Sequence, residues 1–273
     1  MVPSTRGHFG TRHYYGGMRY RFIVAYDGTD FHGWQKQQAR NGDQLRTVQD
    51  VLEKAIIKVL REPVKVAGAS RTDSGVHARG QVAACTSSKV IEPERLLCAV
   101  NSHLPSDVQV GSVDIVHDSF DPITDCTSKG YRYMIAHGCR DPRRTPLFDR
   151  HFVTHTSHEL MIEPMQQAAK LLEGEHNFAA FTRLNHGRET TVRRVDSCTV
   201  QATSDWRAAI DISGNGFLWN MVRIIAGTLL EVGRGKILPD EIPDILSSGD
   251  RRRTGKTMPP EGLCLEWVQY NDR

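Results

Sequence analysis

The spacing of apolar residues changes in the same order twice along this chain, and that repeated change of period is what most limits its fold. Arg19 to Gly28 (RYRFIVAYDG) is β-branched and aromatic, a strand that Asp27-Gly28 can stop. After Thr47, residues Val48, Val51, Leu52, Ala55, Ile56, Val59 and Leu60 recur at i, i+3, i+4, i+7, i+8, i+11 and i+12, the one-sided stripe of an amphipathic helix. Val64 to Ala69 and Gln81 to Thr86 read as strands around the turn-rich stretch Ser70 to Gly80. A helix over about Pro93 to His103 stops before Leu104-Pro105, and Val108 to Val116 closes a β-α-β-β-α-β unit. The second half repeats the order: strand Tyr131 to Ala136, helix about Glu163 to Leu172, strands Val192 to Gln201 and Arg207 to Ile212, helix about Leu218 to Val232, strand Leu263 to Tyr270. The pattern predicts an α+β protein of two ferredoxin-like (split β-α-β) units, joined into an extended antiparallel sheet with helices on one face. The units fall at residues 18–126 and 127–273, behind a disordered tail at 1–17.

Composition narrows the function classes. The 273 residues can bury a sizeable core, and no apolar run approaches the ~20 residues of a membrane-spanning helix, so no membrane association is expected. The formal net charge is only +3, so affinity for nucleic acid has to come from local clusters. Three present themselves: Arg140, Arg143, Arg144 and Arg150; Arg183, Arg188, Arg193 and Arg194; and Arg251, Arg252, Arg253 and Lys256. Each is equally well an ordinary solvated face, and three in one half weigh more than one. The six cysteines contain no C-x-x-C pair and the histidines no H-E-x-x-H, so no metal site is expected and the thiols read as reduced and mostly interior. The N-terminus lacks an apolar signal segment, which fits a cytoplasmic protein. Met1 to Gly17 has Gly, Arg, His and Tyr but no acid, so a short transit peptide is the alternative to a tail, and Met18 is a second candidate start.

Two places join charge to apolar surroundings. In Ala67 to Ala78 (AGASRTDSGVHA), Asp73 stands among small residues with Arg71 two positions before it. Such a stretch can close a pocket around one carboxylate, although Asp73-Ser74-Gly75 alone is ordinary turn chemistry. From Asn215 to Gly233 (NGFLWNMVRIIAGTLLEVG) a helix apolar nearly all round carries Arg223, whose guanidinium needs an anion unless it snorkels to water. Gly227, one turn on along the same face, leaves room for another backbone or a ligand beside it. Pairing with Asp73 satisfies both charges and favours an ionised nucleophile. Along the strand Lys129-Gly130-Tyr131-Arg132-Tyr133, alternate residues Lys129, Tyr131 and Tyr133 share a face. A tyrosine there either packs or stacks on a base with its hydroxyl free for proton transfer.

In order along the chain, SRTDSGVHA, KGYRYMI, GFLWNMVRIIAGTLLEVG and TMPPEGLCLEWVQY resemble the tRNA pseudouridine synthase A family, from about Arg19 to Tyr270. FHGWQKQ (31–37), LLEGEHNFAAF (171–181) and TTVRRV (190–195) are similar to its remaining landmarks. The resemblance implies the pseudouridine synthase fold and isomerisation of uridine to pseudouridine in the anticodon arm of tRNA. It also implies no metal or organic cofactor, and a homodimer gripping tRNA across both subunits. Position by position it implies that Asp73 is the nucleophile, Tyr131 contacts the target base, Arg223 pairs with Asp73, and Arg71 helps hold the target nucleotide outside the helix. One stretch departs: where the family usually has His-Ala-Arg after a phenylalanine, this chain has Phe120-Asp121-Pro122-Ile123, an acid and a proline where a cation is expected. The competing readings are a non-catalytic RNA-binding or tRNA chaperone protein on the same fold, and a glycosidic hydrolase that releases free uracil.

Overall fold

The computed structural model describes residues 17–39, 42–182 and 190–271. Of the expectations above, the tail at 1–16 and the cluster members Arg183 and Arg188 lie outside these residues. In chain order the regular elements are β1 (Met18–Tyr26), α1 (Val48–Leu60), β2 (Ala67–Gly68), β3 (His77–Ser87), α2 (Pro93–Asn101) and β4 (Val108–Val116). They continue with β5 (Cys126–Ala136), β6 (Thr154–His155), α3 (Ile162–Lys170), β7 (Gly174–Asn177), β8 (Val192–Ser204), β9 (Arg207–Gly214), α4 (Met221–Gly233), α5 (Ile242–Ser248) and β10 (Leu263–Tyr270).

All the strands belong to one sheet in the order β4-β1-β3-β10-β5-β9-β8-β7, with β2 beside β3 and β6 beside β5. The run β10-β5-β9-β8 is a complete split β-α-β unit, antiparallel throughout. In the first unit the expected strand Val64 to Ala69 shrinks to Ala67–Gly68, paired with Ala83–Ala84 of β3. Its earlier residues turn to α1 instead: Val66 N–H donates to Glu53 Oε2 at 3.0 Å and its carbonyl accepts from Gln49 Nε2 at 2.7 Å. The opposite end of β3 is then open, and β10 fills it, with Cys264 and Leu265 beside His77 and Ala78. This joint is parallel, as is the short β5–β6 pairing, so the sheet is mixed at two places where an antiparallel one was expected. The two units are thus stitched through β10, and the chain from β2 to β3 crosses that seam.

Alternation places the core on one face of the sheet. Tyr20, Phe22, Val24 and Tyr26 of β1 are buried against a cluster that includes Leu52, Ile56 and Leu60 of α1, while Ile23 between them is exposed. In α2 the same logic turns Leu96 and Val100 inward and Cys98 outward, so the cysteines are free but not mostly interior: only Cys85 and Cys198 are buried. Helix α4 is buried all round apart from Arg223 and Glu231. It begins later than its apolar pattern, because Asn220 takes a left-handed φ of 61° that no α-helical turn contains. One side of α4 is covered by backbone rather than side chain. At Gly227 the chain from Gly255 to Lys256 lies so close that a Cβ would overlap the Lys256 carbonyl. Gly255 N–H donates to Thr228 Oγ1 at 3.0 Å and Met258 N–H to the Arg223 carbonyl at 3.1 Å.

Gly227→Ala therefore has nowhere to put its methyl group, and urea denaturation should show a loss of roughly 2–4 kcal/mol. Gly111→Ala on β4, whose Cβ meets nothing nearer than the Ile23 carbonyl at 3.9 Å, should change stability by less than about 0.5 kcal/mol.

Candidate active site

The loop from Ser70 to Val76 is fixed almost wholly by its backbone. The carboxamide of buried Gln81 grips Ser70 at both ends, accepting from its N–H at 3.1 Å and donating to its carbonyl at 2.7 Å. Thr72 is held by Tyr26 OH to its hydroxyl (2.8 Å) and by Trp34 N–H to its carbonyl (3.1 Å). The Phe31 carbonyl accepts from Gly75 N–H at 3.2 Å and from Ser74 Oγ at 3.1 Å. Phe31 and Trp34 are themselves buried. Sequence reading treated FHGWQKQ only as a landmark; it is the bed on which the loop lies, and the signal was Gly33, whose φ of +87° brings its backbone against Thr72 and Asp73. Val76 N–H closes a turn onto the Asp73 carbonyl at 3.2 Å, with Gly75 at φ +78°. Asp73-Ser74-Gly75 is thus a turn, and its carboxylate also faces a cavity.

Arg223 reaches Asp73 from the other unit. Its Nη1 lies 3.1 Å from Asp73 Oδ2 and donates to Asn220 Oδ1 at 3.0 Å, while Nε donates to the Met258 carbonyl at 2.6 Å. The two side chains are 16% and 27% exposed, so the pair is partly dry but open on one side. The chain laid over Gly227 therefore supplies the carbonyl that aims the guanidinium, and the left-handed Asn220 supplies a second acceptor.

Tyr131 stands on β5 opposite Ile212 and Leu265, almost completely buried. Its ring meets Phe217 edge-on at 5.3 Å and its hydroxyl is 2.7 Å from Ser70 Oγ. Burial pushes the phenol up to about 12; the Asp73 charge adds to this and the Ser70 hydrogen bond opposes it. Lys129 donates to the Ala69 carbonyl at 3.0 Å. Tyr133, on the same face, is ordinary core: its hydroxyl bonds Thr154 and the Pro259 carbonyl.

Ser70, Asp73, Tyr131 and Arg223 line one cavity of about 860 Å³, large enough for a nucleoside. Arg71 is exposed at its lip with Trp219 and Ile123. The departing stretch ends at this lip: Asp121 Oδ1 accepts the Ile123 and Thr124 N–H groups, leaving Ile123 as an apolar edge. The basic clusters are less free than their sequence suggests. Arg143 pairs with Asp141, Arg144 with Glu159, Arg194 with Asp196 and Arg252 with Asp250. Ser70, Gln81, Asn220 and Phe217 had no place in the sequence-based site, because single polar or aromatic residues in a loop, or one glutamine within a strand, carry no distinguishing period. In chemical terms the cavity offers an anchored carboxylate and a neutral phenol, a nucleophile beside a hydrogen-bonding group.

The chain matches the family described as tRNA pseudouridine synthase over residues 22–123 and again over 168–271. It is 45% identical over 250 residues to tRNA pseudouridine synthase A of Geotalea uraniireducens, covering 92% of this chain and 98% of that one. The protein of the same name from Thermoanaerobacter sp. is 44% identical over 248 residues, with 91% and 98% covered. A tRNA pseudouridine synthase A 2 of Clostridium perfringens is 39% identical over 250 residues, with 92% and 98% covered.

The ion pair across the seam is measurable without any substrate. A double-mutant cycle of Asp73→Asn and Arg223→Met, read by urea denaturation, should give a coupling of about 1–2 kcal/mol, and a value near zero would show that water already screens the pair.

Proposed function

The chain belongs to the tRNA pseudouridine synthase family and isomerises uridine in tRNA, and from that premise we propose that Asp73, Tyr131 and Arg223 carry the reaction. The observation that supports this most is the Asp73–Arg223 ion pair sharing one cavity with the Tyr131 phenol. Asp73 is the nucleophile. Arg223 holds one carboxylate oxygen, anchored in turn by Met258 and Asn220, and the partly exposed carboxylate presents the other to the cavity.

The target uridine has to leave the RNA stack, at a cost of about a few kcal/mol. Arg71 at the lip fills the space that the nucleotide vacates. The carboxylate then adds to the uracil ring or to the ribose, the bond from C1′ to N1 breaks, and the uracil turns while it remains in the cavity. C5 joins C1′, and the C5 hydrogen is lost last. Tyr131 lies against the base through these steps, and Phe217 keeps its ring in place. The substrate site is the anticodon arm, the enzyme works as a homodimer that holds tRNA across both subunits, and its compartment is the cytoplasm. Among the described residues no helix is long and apolar enough to cross a membrane.

With tRNA tritiated at uridine C5, the protein should release tritium, and Asp73→Ala should slow release by at least about a thousandfold with tRNA affinity little changed. Undiminished release by that variant would remove Asp73 from the nucleophile's role. A protein that only binds RNA would release no tritium at all, and a hydrolase would yield free uracil. Binding should also weaken steeply as salt rises, in proportion to the phosphates contacted.

A further inference from the structure

Loss of the C5 hydrogen needs an acceptor, and the phenol of Tyr131 is poorly suited to that task by itself. Buried as it is, it enters the reaction still carrying its own hydrogen. A neutral phenol can take a proton from carbon only as it gives one up. The group in reach is Ser70 Oγ, at 2.7 Å. Ser70 is held more firmly than most loop residues, since Gln81, buried in β3, clamps both its N–H and its carbonyl. Ser70 also lines the cavity, where its own hydroxyl can meet water.

We propose that Ser70 is the positioning residue of Tyr131: it accepts the phenol's hydrogen, turns the phenol's lone pairs into the cavity, and completes a relay for the C5 proton. This rests on the reading that Tyr131 contacts the target base. The step begins once C5 is joined to C1′ and Asp73 is free again. The C5–H bond breaks and its electron pair forms the C5–C6 double bond, while the π pair of the C6=N1 double bond, left when C5 joined C1′, moves onto N1 and the ring stays closed. The proton goes to Tyr131 Oη, the phenol's own proton to Ser70 Oγ, and the serine's to a water molecule in the cavity. N1 takes a proton from the same water, so the isomerisation leaves the proton count unchanged.

Single-turnover rates on tRNA with hydrogen or deuterium at C5 of the target uridine test this. Ser70→Ala, measured with Ser70→Gly, which adds no atom, should slow turnover roughly three- to tenfold, the worth of one hydrogen bond. The isotope effect should rise above that of the unsubstituted protein, with tRNA affinity held within about twofold. Ser70→Thr, which restores the hydroxyl, should restore the original isotope effect. An unchanged isotope effect in the alanine and glycine variants overturns the proposal, as does threonine shifting it as far as alanine. Tyr131→Phe separates the layers: full turnover there overturns the base-contact reading itself, whereas slow turnover with a normal Ser70→Ala overturns the role of Ser70 alone.

Discussion

Asp73 and Arg223 are 150 residues apart in sequence and 3.1 Å apart in space. Without Asp73 the Arg223 guanidinium, on a helix buried except there and at Glu231, would keep only the oxygens of Met258 and Asn220 as acceptors and no anion. The pair also joins the two units at the seam where β10 runs beside β3, so the sheet and the charge enforce the same docking. Much of the surrounding structure follows from that contact. Gly227 admits the 255–258 backbone, whose Met258 carbonyl fixes Arg223, and Gly75 and Gly33 admit the turn that carries Asp73. The hydrogen bonds that aim the charges come largely from backbone groups, which have fewer ways to relax than long side chains.

The regular elements were largely legible because they obey a period. Val108–Val116 and Leu263–Tyr270 have the bounds expected of them, and α1 covers the stripe from Val48 to Leu60. The differences arise where something nonlocal competes with the local pattern. Val64 to Val66 has strand composition, but the Val66 N–H and carbonyl are taken by the α1 side chains Glu53 and Gln49, and β10 pairs with the far end of β3. Leu218 continues the apolar pattern of α4, yet Asn220 breaks the helix to present its side chain to Arg223. For the site, the unusual residues were readable one at a time: an acid among small residues, an arginine in an apolar helix, a tyrosine on an alternating strand. Period and composition did not bring them together; the need of Arg223 for an anion suggested its pairing with Asp73, the family resemblance implied it, and the structure has the pair at 3.1 Å. Ser70 and Gln81 were invisible for a plainer reason, because a serine in a turn and a glutamine in a strand look like any others until the fold closes them on each other.

The cavity divides into a floor and a lip with different physics. Its floor consists of groups held by at least two contacts each: Ser70 by two bonds to Gln81, Tyr131 by the Phe217 ring and the Ser70 hydroxyl, Arg223 by Met258 and Asn220. Bond rearrangement at a single ring demands such fixity, since a small misplacement of a reacting group costs a large part of the rate. The lip has Arg71, Trp219 and Ile123 exposed, and in the proposed reaction it meets a polyanion rather than a single ring. The aliphatic Ile123, which ends the stretch that departs from the family resemblance, belongs to this second class. One phosphate contact fewer changes the slope of log affinity against log salt by only about 0.7–0.9 and moves nothing on the floor. The turn that Asp121 caps keeps Ile123 in place without touching Asp73 or Arg223. On the proposed reading, variation at the lip changes how tightly and in what pose RNA is held, while the Asp73, Tyr131 and Arg223 geometry proposed to break and remake the glycosidic bond is held by its own hydrogen bonds beneath.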